Sequence, residues 1–253
     1  MELIKIFSSI SFRKLIPFFL ILFSNNFFVN AQENGFAVVE LFTSEGCESC
    51  PTGDKILSQL AAEAKQNGKA IYCLEYHVDY WNKGGWKDPF SKNQFTFRQE
   101  NYSRVLPNKE MYTPQLVING QTELNANNLS LAKTAIDKAM KQEPVLKVSM
   151  HIDSILRDTA YVSYTCSKQD KNYVLRIVLA ENKLSSKVTG GQHAGKVLLH
   201  DAVVRILFSV NNPSAKGQAA IPLKEFKTDS NFSWTAFVQH KQTMKILGAS
   251  RLN

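Results

Sequence analysis

The sequence predicts two consecutive units of different kinds, an α/β domain over residues 32–143 and an all-β sandwich over residues 144–253, behind a leader at residues 1–31. Three observations carry that reading. An apolar run from Phe36 to Ser44 leads into Cys47-Glu48-Ser49-Cys50-Pro51 and then into a helical repeat. A Thr113-Pro114 pair stands just before an Asn-Gly turn signal. From residue 145 the apolar period changes to two.

The leader comes first. Lys5, Arg13 and Lys14 form a positive segment, Leu15 to Phe23 is a short apolar stretch, and Val29-Asn30-Ala31 offers a cleavage site before Gln32. The apolar stretch is too short to span a bilayer. The mature chain is therefore expected to be exported, periplasmic or extracellular, with no membrane span after cleavage. Such a compartment permits disulfides.

Residues 36–44 then read as a buried strand. Residues 51–66 read as an amphipathic helix with Ile56, Leu57, Leu60, Ala61 and Ala64 on one face, stopped by Asn67-Gly68. A second strand over 70–78 completes a β–α–β unit, which implies parallel strands. A long aromatic insertion follows, carrying Tyr80, Trp81, Trp86 and Phe90, with a helix over 91–106. Pro114–Ile118 and Gln121–Leu124 flank Asn119-Gly120, the strongest short-range hairpin signal. Asn128 or Ser130 caps the next helix. Beyond Glu143-Pro144, alternating runs at 146–152, 162–166, 174–179, 203–210, 218–224, 232–239 and 244–249 are separated by Asn, Pro, Gly and Ser turns. Strands at that spacing indicate a sandwich.

Charge excludes some functions. The net charge of +8 falls to +6 when Lys5, Arg13, Lys14 and Glu2 leave with the leader. The remaining lysines are scattered and form no basic stripe with aromatics, so nucleic acid is not an expected partner.

The chemistry lies in the cysteines. A Cys-x-x-Cys pair at a helix start can be a structural disulfide, a soft-metal site or a redox pair, because the helix N-terminus favours the thiolate. Strand–CxxC–helix–strand, insertion, Pro–hairpin–helix is the element order of a thioredoxin-like domain, in which the proline is cis and faces the cysteines. On that reading Cys47 is the more exposed, attacking thiol and Cys50 resolves the mixed disulfide; resemblance to thioredoxins implies that Thr113 and Pro114 present backbone to an extended substrate. Glu48 disfavours the thiolate, which points to a reductase or exchange protein acting on protein or peptide thiols, with the Cys47–Cys50 disulfide as its only redox group. Two alternatives stand beside it. One is a copper-handling protein using Cys47, Cys50 and His77; the other is a partner-binding protein without catalysis. His77 and Asp79 also read as a pair anchoring the aromatic loop, and Trp81, Trp86 and Phe90 as either a substrate-facing lip or local core. Cys73 and Cys166 read as buried free thiols, and His193, His200 and His240 as ordinary residues without ligand spacing.

Three motifs together resemble the DUF1223 family: Thr43 to Pro51, His77-Val78-Asp79-Tyr80-Trp81 with Gly85 to Phe90, and Tyr112 to Gln115. The likeness continues through Gly191 to Gly195, Val203 to Arg205 and Ile246 to Ala249. The resemblance implies a secreted, thioredoxin-like bacterial protein of unestablished activity. Glu48, Thr52-Gly53 and Gln192-His193 depart from the family's usual residues.

Overall fold

The computed structural model describes residues 35–223, 226 and 231–252, so the expected leader lies outside the described residues. The architecture is mixed α/β: one large sheet, two smaller sheets and three α-helices among the described residues.

Strand β1 (Ala37–Thr43) is buried along its whole length. Its period-two alternation sends Ala37, Val39 and Leu41 to one face, packed with Leu57 and Leu60 of α1 (Cys50–Gln66) and Ile136 of α3 (Leu129–Met140). Val38 and Phe42 face the other way, toward Tyr76 of β2 (Ile71–His77) and Phe95 of α2 (Asn93–Val105). Pro51 is tolerated because it stands in the first turn of α1, where its missing N–H has no intrahelical partner. Asn67 and Gly68 end the helix, Gly68 in the left-handed region at φ +61°. The hairpin of β3 (Gln115–Ile118) and β4 (Thr122–Asn125) turns at Asn119 and Gly120, both at positive φ, as an Asn-Gly turn requires. Asn128 caps α3 by accepting the Leu131 N–H at 3.0 Å.

After residue 144 the chain forms β5 (Val148–Leu156), β6 (Thr159–Cys166), β7 (Tyr173–Glu181), β8 (Leu184–Lys187), β9 (Val197–His200), β10 (Val203–Asn211), β11 (Lys216–Pro222), β12 (Phe232–His240) and β13 (Ile246–Arg251). Seven of these fall on the alternating runs; β8 and β9 do not. Sheet β11-β6-β5 packs against β7 and β12 through Val162, Tyr164, Leu175, Ile177, Ile221, Trp234 and Val238. Here the expectation of a separate second domain meets a different arrangement. The large sheet runs β13-β12-β7-β10-β2-β1-β3-β4, so strands from both sides of residue 144 share it. Its two four-stranded halves meet at one parallel bridge, Val203 with Glu75, reinforced by Glu75 N–H donating to Ala202 O at 2.8 Å. Pairing so remote in sequence leaves no local signal. No helix among the described residues is long and apolar enough to cross a membrane.

Beneath α2 lies a buried ionic core. Arg98 grips Glu40 with two parallel bonds, Nε to Oε1 at 2.7 Å and Nη2 to Oε2 at 2.9 Å. Tyr102 also donates to Glu40 Oε2, and Arg98 Nη1 reaches Gln239 Oε1 of β12 at 3.2 Å. The pair thus joins α2, β1 and β12.

Candidate functional site

Cys47 and Cys50 are joined by a disulfide at the start of α1. The Thr113–Pro114 peptide is cis, as expected, and Pro114 packs on the first turn of the same helix: a Cβ on Gly53 would stand 2.8 Å from Pro114 Cβ. Thr113 is held from the aromatic insertion, its Oγ1 accepting from Trp81 Nε1 at 2.8 Å. One expectation is corrected. Cys47 is only 2% exposed and Cys50 is fully buried, while Glu48 and Ser49 between them are exposed. The turn at Gly191–His193 contributes to the closure, with buried His193 donating through Nε2 to the Cys47 carbonyl at 3.1 Å. Because a carbonyl can only accept, this bond places the His193 proton on Nε2.

His77 is not paired with Asp79, which instead accepts from Thr96 Oγ1 at 2.5 Å. Both ring nitrogens of His77 meet other carboxylates, Nδ1 with Asp88 Oδ2 and Nε2 with Glu75 Oε1, each at 2.7 Å. His200 repeats the pattern, Nδ1 with Glu75 Oε1 at 2.9 Å and Nε2 with Glu45 Oε1 at 3.2 Å. Asp54, from α1, stands 3.7 Å from His200 Nδ1 and accepts from Thr43 Oγ1 at 2.6 Å. Trp86 Nε1 donates to Glu45 Oε2 at 2.7 Å, and Phe90 presents its ring to both imidazoles. The aromatic insertion is therefore fastened by polar contacts around this cluster.

Electrostatics inside the cluster follow from burial against close partners. Burial and the neighbouring Glu75 push the Asp54 carboxyl up to about 8. Burial works against a charged His200, but the hydrogen bonds its ring donates to Glu45 and Glu75 outweigh it and raise it to about 9. Against the same burial, Asp88 and Glu75 hold His77 well above the ordinary histidine value. Burial likewise opposes charge on Glu75 and Asp88, yet the two imidazoles hold Glu75, and His77 holds Asp88, below the usual carboxylate range.

The structure brings Cys47, Cys50, Thr113 and Pro114 into one neighbourhood. His77 falls in a different grouping: its ligand atoms cluster with those of Glu75 and His200, without either cysteine. Sequence reasoning missed Glu45, Asp54, Glu75, His193 and His200. A signal for one of them was present, because Glu75 alternates with His77 on one face of an otherwise apolar strand. His200 lies 155 positions from Glu45 and carries no such signal.

The remaining cysteines, Cys73 and Cys166, are free and buried. Burial pushes the Cys73 thiol up to about 12. A chromogenic disulfide reagent at pH 8 should therefore find no fast thiol in the native, oxidised protein, and the Cys73 and Cys166 thiols only after denaturation. Rapid labelling of Cys73 in the folded chain would contradict this burial.

The family model described as "Protein of unknown function (DUF1223)" matches residues 38–239. The chain belongs to that family. A crystal structure of a protein from Agrobacterium tumefaciens is similar to this DUF1223 chain at 27% identity, covering 88% of this chain and 96% of that one with a TM-score of 0.62. A crystal structure of Ruminococcus gnavus β-glucuronidase also matches, at 12% identity over 44% of this chain and 15% of that one, with a TM-score of 0.23. A likeness so faint says nothing of what this DUF1223 chain does. No curated protein matches it.

Proposed function

We propose that the protein is an exported thiol–disulfide oxidoreductase of reductase or exchange type, built on a thioredoxin-like core and acting on protein or peptide thiols. The observation that carries this reading is the Cys47–Cys50 disulfide at the first turn of α1, next to cis Pro114. The sheet segment β2-β1-β3-β4, with β2 parallel and β3 antiparallel to β1, supports the thioredoxin-like core. The leader read from the sequence supports export.

In the reducing direction a Cys47 thiolate attacks one sulfur of a substrate disulfide and displaces the other as a thiolate. Cys50 then attacks the Cys47 sulfur, re-forming the Cys47–Cys50 disulfide and releasing the second substrate thiol. Two electrons pass to the substrate, and an external dithiol returns them. Because Cys47 is closed in, exchange requires the His193 segment to release the Cys47 carbonyl first.

With a dithiol donor, the wild type should reduce insulin disulfides. Cys47→Ser should abolish this turnover, and Cys50→Ser should accumulate mixed disulfides. The reduction potential should fall between about −270 and −120 mV, near the reducing end. A potential below about −300 mV together with no turnover would mark the bridge as structural.

A further inference from the structure

Beside the disulfide, and independent of its redox role, we propose that Glu75, His77, His200 and Asp54 bind one divalent transition-metal ion of zinc type. The site would be closed and structural, holding the end of β9, which leads into β10, to β2 and to α1, the helix that starts at the cysteines.

The geometry is that of a ligand set with its supports in place. Glu75 Oε1 lies 2.7 Å from His77 Nε2 and 2.9 Å from His200 Nδ1, and one ligand atom from each of these three residues lies within 4.8 Å of the others. Asp54 Oδ2 is 3.7 Å from His200 Nδ1. A tetrahedral zinc ion, with bonds of about 2.0–2.2 Å to nitrogen and oxygen, separates its ligand atoms by about 3.3 Å. Glu75 Oε1 would move by about half an ångström from each imidazole to admit one. Asp54, which stands near His200 but outside that 4.8 Å grouping, would move further to supply the fourth ligand.

On each histidine the nitrogen facing away from this centre already meets its own carboxylate, Asp88 for His77 and Glu45 for His200. Those carboxylates are fixed in turn, Asp88 by the N–H groups of Glu45 and Phe90, and Glu45 by Trp86. A carboxylate behind each metal-binding imidazole is the usual device for setting tautomer and ring orientation. A second, independent observation points the same way. Glu75 is fully buried, and its Oε2 has no hydrogen-bond partner among the described residues.

Without a cation the same atoms are poorly served. Two imidazolium rings with centroids 4.9 Å apart would aim N–H groups at one oxygen of Glu75 and leave its other oxygen unsatisfied. A divalent ion lets both rings be neutral, accepts their lone pairs and offers the Glu75 carboxylate a cation that either of its oxygens can bind. Two imidazoles and two carboxylates, with no sulfur, suit zinc or another borderline divalent metal rather than copper(I).

The test uses the full mature chain with its disulfide intact. After removal of metal by a chelator, one equivalent of Zn2+ should bind stoichiometrically and raise the melting temperature. Co2+ in its place should give visible d–d bands without a thiolate charge-transfer band. His200→Gln should lose the bound zinc and the thermal response, whereas the Cys47→Ser/Cys50→Ser double variant should keep both. If His200→Gln does not fold, the wild-type titration decides alone. A stripped wild type that neither binds nor responds to Zn2+, Co2+ or Mn2+ would overturn the proposal, as would zinc retained by folded His200→Gln. Loss of zinc with the cysteines would place the metal at the CxxC instead, and would also overturn it.

Discussion

Glu40→Ala is expected to destabilise the protein by about 3–5 kcal/mol, because it leaves the Arg98 guanidinium buried without its anionic partner. Glu40 is fully buried and Arg98 is 4% exposed, so water cannot replace the lost carboxylate. The Tyr102 hydroxyl loses its acceptor at the same time. Urea unfolding should show the midpoint falling by about 1–2 M. Glu40→Gln keeps the volume and one acceptor, so its effect should be smaller. The double replacement Glu40→Leu with Arg98→Met should recover much of the loss, since removing both charges removes the uncompensated one. A Glu40→Ala variant within about 1 kcal/mol of wild type would show that the pair is hydrated in solution.

Gly190→Ala should speed reduction of the Cys47–Cys50 disulfide by about tenfold, the equivalent of about 1.4 kcal/mol of easier opening. The backbone at Gly190 is extended, at φ −149°, so alanine meets no conformational barrier there. The obstacle is contact: the new Cβ would stand 2.3 Å from the Gly85 carbonyl oxygen. Something must move, and the segment from Gly190 to His193 is what ties the Cys47 carbonyl through His193 Nε2. Dithiothreitol reduction, quenched with a maleimide and read by mass, measures the rate. An unchanged rate in a variant that melts like the wild type would mean that this segment does not govern access to the sulfur.

Much of the fold was legible because its signals are local. Pro51 and Asn67-Gly68 bracket α1, Asn119-Gly120 makes the hairpin, Asn128 caps α3, and alternation after residue 145 marks most of the later strands. The cysteine–proline neighbourhood was legible for a related reason, since order along the chain was enough to bring Cys47, Cys50 and Pro114 together. The burial of Cys47 was not legible, because the group that holds its carbonyl comes from residue 193. The bridge between Val203 and Glu75 and the partners of His200 have the same character. Such contacts depend on how two halves of a chain meet, and periodicity within either half carries no record of that. Glu40 shows a further limit. A lone acid in an apolar strand announces a buried partner, but nothing nearby identifies Arg98 of α2 as that partner.

The one-residue seam between Glu75 and Val203 also has a consequence in time. A chain that emerges N-terminus first, from a ribosome or an export channel, completes β2 well before Val203 appears. During that interval the early half of the chain holds Asp54, Glu75 and His77 but not His200. Collapse of the helices onto β1 can proceed, yet enclosing those acids with half their counter-charges missing is unfavourable. Final closure therefore waits for the distal half, and residues 33–253, which form one compact unit, gain their last stability together rather than in two instalments.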